Sequence, residues 1–188
     1  MRHHGHQIAL GAGRHEKPGF LAEPFGRERF QALDRRILAP DVVADLVQYR
    51  YAMTYYDQIK PIEQDQGLAG KAMEQFKKLV KDYPESRYAT DALAKIEVCR
   101  GRLAQKEVWV AAWYIGQGNP SGARPRLEKV IKDYPRAPVI PEALSLLADV
   151  NFSEGRNTDA LALLRQLASE YGYTEWGKRA AQRLRAQR

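Results

Sequence analysis

An all-α, tetratricopeptide-like helical-repeat solenoid is the fold this sequence predicts, and three observations carry the prediction. Lys81-Asp82-Tyr83-Pro84 recurs as Lys132-Asp133-Tyr134-Pro135, each time behind the same apolar pattern. A third copy of that pattern closes in Tyr171-Gly172. Between the first two copies, residues 88–115 contain no proline and a single glycine, Gly101.

The repeat aligns on its turn residue. Ala72, Phe76 and Leu79 precede Pro84 by the same offsets at which Ala123, Leu127 and Val130 precede Pro135 and Ala160, Leu164 and Leu167 precede Gly172. Steps of three and four between apolar residues describe one buried face of a helix. The small alanine admits a neighbouring helix closely, the tyrosine anchors the last turn, and proline or glycine ends the helix.

In chain order, residues 1–24 read as a disordered N-terminal segment, and 25–188 as the helical-repeat domain. Gly5, Gly11 and Gly13 loosen the first segment, and residues 24–40 suit the second helix of an earlier repeat with Phe30 and Leu33 inward. A helix is predicted over 42–56, carrying Val43, Leu46, Val47, Tyr49, Ala52, Met53, Tyr55 and Tyr56, then the first repeat helix up to Tyr83. The interval from Tyr83 to Tyr134 is 51 residues, against 37 from Tyr134 to Tyr171. The excess equals about four helical turns. It predicts one long helix near residues 88–116, fused across two repeats, with Ala92, Leu93, Ile96, Cys99, Leu103, Val108, Ala111, Ala112 and Ile115 as its apolar positions and Cys99 packed inside. Gly116-Gln117-Gly118-Asn119-Pro120 is a turn. A helix over 139–152, with Leu144, Leu147, Ala148 and Val150, follows the second repeat helix and ends at Gly155-Arg156-Asn157.

Charge excludes more than it proposes. The chain carries +7, yet residues 41–173 are balanced, so the excess lies at the two ends. Basic residues in the closing helix complement its dipole. No basic stripe interleaved with aromatics accompanies them, so nucleic acid is not an expected partner. His3, His4, His6 and His15 have no second ligand cluster, so no metal is expected. With no phosphate-cradling loop, nucleophile elbow or zinc motif, the chain is read as neither an enzyme nor a cofactor binder. The lone Cys99 offers no intramolecular disulfide, and no apolar run reaches membrane-spanning length.

Residues 87–118, with 122–135 and 141–171 after them, resemble the carboxy-terminal repeats of the BamD family, the tetratricopeptide lipoproteins of the outer-membrane β-barrel assembly machinery. Residues 47–92 resemble the family's middle repeat. The likeness covers about residues 41–175 and includes the fused helix. It implies a scaffold on the periplasmic face of the outer membrane that links the last POTRA domain of the barrel-forming subunit to accessory lipoproteins. It also implies a POTRA contact at Arg126, which holds the family's offset of nine residues before Pro135. Membrane association would come only through the family's lipid anchor. Cys99 follows Ile96-Glu97-Val98, which is no lipidation box, so a shortened chain lacking that anchor and the first repeats is expected. Such a solenoid would leave Tyr49, Met53 or their neighbours uncovered and prone to self-association. The alternative is a generic repeat adaptor of the bacterial envelope.

Overall fold

The computed structural model describes residues 40–186, with side chains for 43–186. The histidine-bearing segment and the helix expected around Phe30 and Leu33 lie outside them. Among the described residues seven helices follow one another: α1 (Pro40–Tyr56), α2 (Gly67–Asp82), α3 (Ala89–Gly116), α4 (Pro120–Asp133), α5 (Ile140–Ser153), α6 (Asn157–Glu170) and α7 (Glu175–Ala186). No strand occurs among the described residues. Each helix packs against its neighbours in the chain, the stacking expected of a helical repeat.

The aligned apolar trios do what their spacing demands. All nine residues, three each on α2, α4 and α6, are fully buried. Each of these helices stops one residue before its tyrosine. The backbone N–H groups of Tyr83, Tyr134 and Tyr171 close the last turns by donating to the carbonyls of Leu79, Val130 and Leu167. Pro84 and Pro135 then cannot extend the helix.

The fused helix is present as α3. It has 28 residues, whereas α5, which lies between α4 and α6 as α3 lies between α2 and α4, has 14. The difference accounts for the unequal tyrosine spacing. Its two ends serve different cores. Ala92, Ile96 and Cys99 join Ala52, Ala72, Phe76 and Leu79, whereas Ala104, Val108 and Ala111 join Leu127, Leu144 and Leu164. At about 100° per residue, the buried stripe moves roughly a third of a turn around α3 between them. Leu93 falls off the first stripe and Ala112 off the second, and both are exposed.

One expectation is refined. Tyr49 and Met53 pack on the first core rather than lying open. The Tyr49 ring stacks on Tyr88 at 4.8 Å, and its hydroxyl donates to Asp91 at 2.5 Å. The open positions on α1 are their neighbours Val47 and Tyr51, 60% and 47% exposed. Cys99 is buried as expected, and burial pushes its thiol up to about 11, out of the reactive range.

Candidate functional site

The surroundings of Arg126 are set by how α4 begins. Gly118, with φ of 69°, lets the chain reverse after α3. Asn119 then caps α4, its Oδ1 accepting the Gly122 N–H at 3.0 Å, and Pro120 fits the first turn. Gly122 must lack a side chain, because a Cβ there would stand 2.8 Å from Cδ1 of Tyr114. The Tyr114 ring therefore lies flush against α4. One turn later the Arg126 guanidinium sits over the same ring, 5.6 Å from its centroid.

Arg126 is also half of a charge cluster that the sequence did not disclose. Its Nη1 donates to Oε2 of Glu107 on α3 at 2.7 Å, and Lys129 Nζ donates to Oε1 of the same carboxylate at 2.9 Å. Burial pushes the Glu107 carboxyl up, but the hydrogen bonds from Lys129 and Arg126 outweigh it and hold the group below its usual range. The Lys129 ammonium is raised in turn by its hydrogen bond to Glu107. Two cations share one anion, so the cluster keeps a net positive charge. The Arg126 side chain is 38% exposed against 19% for Glu107, so the cationic side of the cluster is the one that faces water. Beside it Trp113 is 53% exposed and makes an edge contact with Tyr114 at 5.1 Å.

Arg124, two residues earlier on α4, has a different role. It turns toward α5, where Nη2 donates to Asn151 Oδ1 at 2.8 Å and to Glu154 Oε2 at 2.6 Å. Its side chain is only 16% exposed. Arg124 joins helices, and Arg126 faces out. Sequence spacing could have grouped Arg126 with Lys129, which are three apart on one helix face. It could not have found Glu107, Tyr114 or Trp113, which only the packing of α3 on α4 brings near.

Among the described residues, no group of three or more His, Cys, Asp or Glu is placed to hold a metal ion, and no helix is long and apolar enough to cross a membrane.

Helices stacked in chain order, with the same buried trio repeated on every second one, define a helical-repeat protein. The chain belongs to the YfiO family, described as outer membrane lipoprotein, whose pattern matches residues 39–163. It is similar to the outer membrane protein assembly factor BamD of Caulobacter vibrioides, at 33% identity over 112 residues, covering 60% of this chain and 37% of that protein. It is similar also to BamD of Rickettsia prowazekii, at 28% identity over 128 residues, covering 68% of this chain and 51% of that protein. The chain thus spans about half or less of the length of these curated relatives. The family resemblance read from the fused helix and its flanking repeats holds.

Proposed function

We propose that this chain is a non-catalytic scaffold in the assembly of outer-membrane proteins, working at the periplasmic face of the outer membrane. Its α3–α4 junction docks on the POTRA region of the barrel-forming subunit, and other faces of the array are open to accessory lipoproteins. The observation that carries this reading is the cluster at Arg126. A guanidinium is seated on Tyr114 and held by one of its nitrogens on Glu107, so among the described residues its other N–H donors are left for an acidic side chain of the partner. The exposed Trp113 next to it supplies the apolar anchor that an interface built around an arginine needs.

Titration calorimetry of this chain against the POTRA region of the cognate barrel-forming subunit tests the proposal. Arg126→Glu is expected to weaken binding by about tenfold or more, with Arg126→Lys intermediate, because lysine keeps the charge and loses the planar fork. Circular dichroism of each variant separates a lost contact from a lost fold. Unchanged affinity of a folded Arg126→Glu chain would move the docking surface elsewhere. A generic repeat adaptor would instead bind extended peptides and show no POTRA affinity.

A further inference from the structure

α7 lies past residue 163, where the match to the family pattern ends. Its inner side is fastened tightly to the helices before it. Ala180 is buried, and Trp176 and Leu184 pack against the second core. A Cβ on Gly177 would collide with the carbonyl of Tyr171, so the start of α7 lies hard against the end of α6. With its apolar side committed to the core, α7 offers its other side as a fixed surface.

That surface is cationic and edged with aromatic rings. Lys178, Arg179, Gln182 and Arg185 are exposed, and at about 100° per residue they fall within about a third of a turn. The Arg179 guanidinium lies over the Trp176 ring, 5.6 Å from its centroid. Tyr173, in the connection from α6, is 78% exposed. Lys178 is balanced by Glu175 at 2.8 Å, and Arg183, at the edge of the face, by Asp149 at 2.7 Å. Among the described residues Arg179 and Arg185 make no ion pair, so they are the uncompensated charges. The helix dipole accounts for Arg183 and Arg185 in the last turn. It does not account for Lys178 and Arg179, which stand near the end where cations are disfavoured. Arg179 and Arg183, four residues apart on one helix, also repel each other.

An anionic surface outside the chain relieves both costs. The family is described as outer membrane lipoprotein, so the extended anionic surface close to the chain is a bilayer. Phospholipid phosphates attract basic side chains, and tyrosine rings settle at the same depth. Nucleic acid fits the face less well, because base stacking needs an open ring and Trp176 is partly buried with Arg179 over it.

We propose that the outer face of α7 rests on anionic phospholipid headgroups, with Arg179 and Arg185 against the phosphates and Tyr173 at headgroup level. Because its apolar side is already buried, α7 lies on the bilayer without entering it, and the contact turns this end of the array toward the membrane. The inference rests on the reading that the chain works at a membrane surface, and not on docking at Arg126.

The test is sedimentation of the full chain with vesicles of phosphatidylglycerol and phosphatidylcholine in equal parts, beside vesicles of phosphatidylcholine alone. Binding is expected to the anionic vesicles only, and is lost in concentrated salt. Each charge removed should weaken it about fivefold, so that Arg179→Gln combined with Arg185→Gln loses about 25-fold, and Tyr173→Ser loses less. Circular dichroism shows whether these variants, all at exposed positions, keep their helices. Calorimetry with the POTRA region reads Arg126 alone, so each reading can fail without the other. Full vesicle binding by the folded double variant would assign the attachment to residues 1–39, which are also basic, and overturn the proposal. Equal binding to uncharged vesicles, no sedimentation of a folded chain, or tighter binding to a single-stranded oligonucleotide than to anionic vesicles would overturn it as well.

Discussion

The two ends of α3 bury similar residues in different ways. At its amino-terminal end α3 meets a core built around one large ring, Phe76, with Tyr49 and Tyr56 tilted against it at 5.9 Å each. At its carboxy-terminal end it meets an aliphatic core of Leu127, Leu144, Leu164, Leu167 and Ala180 that spans four further helices. The first core depends on one side chain touching many. The second spreads its burial over several leucines, so it should give way more gradually when any one is cut.

The largest effect should follow from Phe76→Ala, at about 3–5 kcal/mol. Hydrogen exchange is expected to rise across α1, α2 and the first half of α3 before it rises in α5 to α7. Uniform exchange throughout would mean that the two cores melt as one unit. Gly101→Pro, at the junction between them, should cost about 3 kcal/mol and replace a single thermal transition with two. A single sharp transition in that variant would show that α3 is not what couples the halves.

A smaller effect is expected at the charge cluster. Glu107→Gln should cost about 1 kcal/mol at neutral pH once partial exposure is allowed for. The native carboxyl is held below its ordinary value of 4.5, so the stability it adds is present above that pH and is lost as pH falls through the folded value. Urea melts of wild type and variant should therefore converge in acid. Glu142 has the opposite sign. Burial raises its carboxyl above 4.5, so the chain gains at low pH and loses as pH climbs through the folded value. Glu142→Gln should accordingly raise the melting temperature slightly at pH 7 and leave it unchanged near pH 3. Smallest of all, Gly101→Ala should stabilise by about 0.5–1 kcal/mol, because the site has room and lies inside a helix.

Much of this architecture was legible in the sequence because burial in α2, α4 and α6 repeats at fixed offsets from a residue that ends the helix. The nine aligned positions needed no tertiary information. The fused helix was legible from its lack of breakers, but its changing face was not. A list of apolar residues over 28 positions averages two stripes, which is why Leu93 and Ala112 were grouped with residues that are buried. The surroundings of Arg126 were not legible. Arg126 was singled out only through the family resemblance, which implies a role at that offset from Pro135, whereas its partner Glu107 lies 19 residues away on another helix. That contact depends on the register between α3 and α4, and a local pattern carries no information about it.

The length of α3 also acts as a phase setting. Each residue of a helix advances its facing by about 100° and its reach by about 1.5 Å. Removing one residue between Cys99 and Ala104 would swing everything from α4 onward by more than a quarter turn relative to α1 and α2, with every core residue still in place. Inserting seven there would lengthen the rod by about 10 Å yet change its facing by only about 20°. Insertions in this stretch should therefore be tolerated in near-whole turns and rejected between them, so that a surface assembled from both halves survives an insertion of seven residues better than an insertion of two.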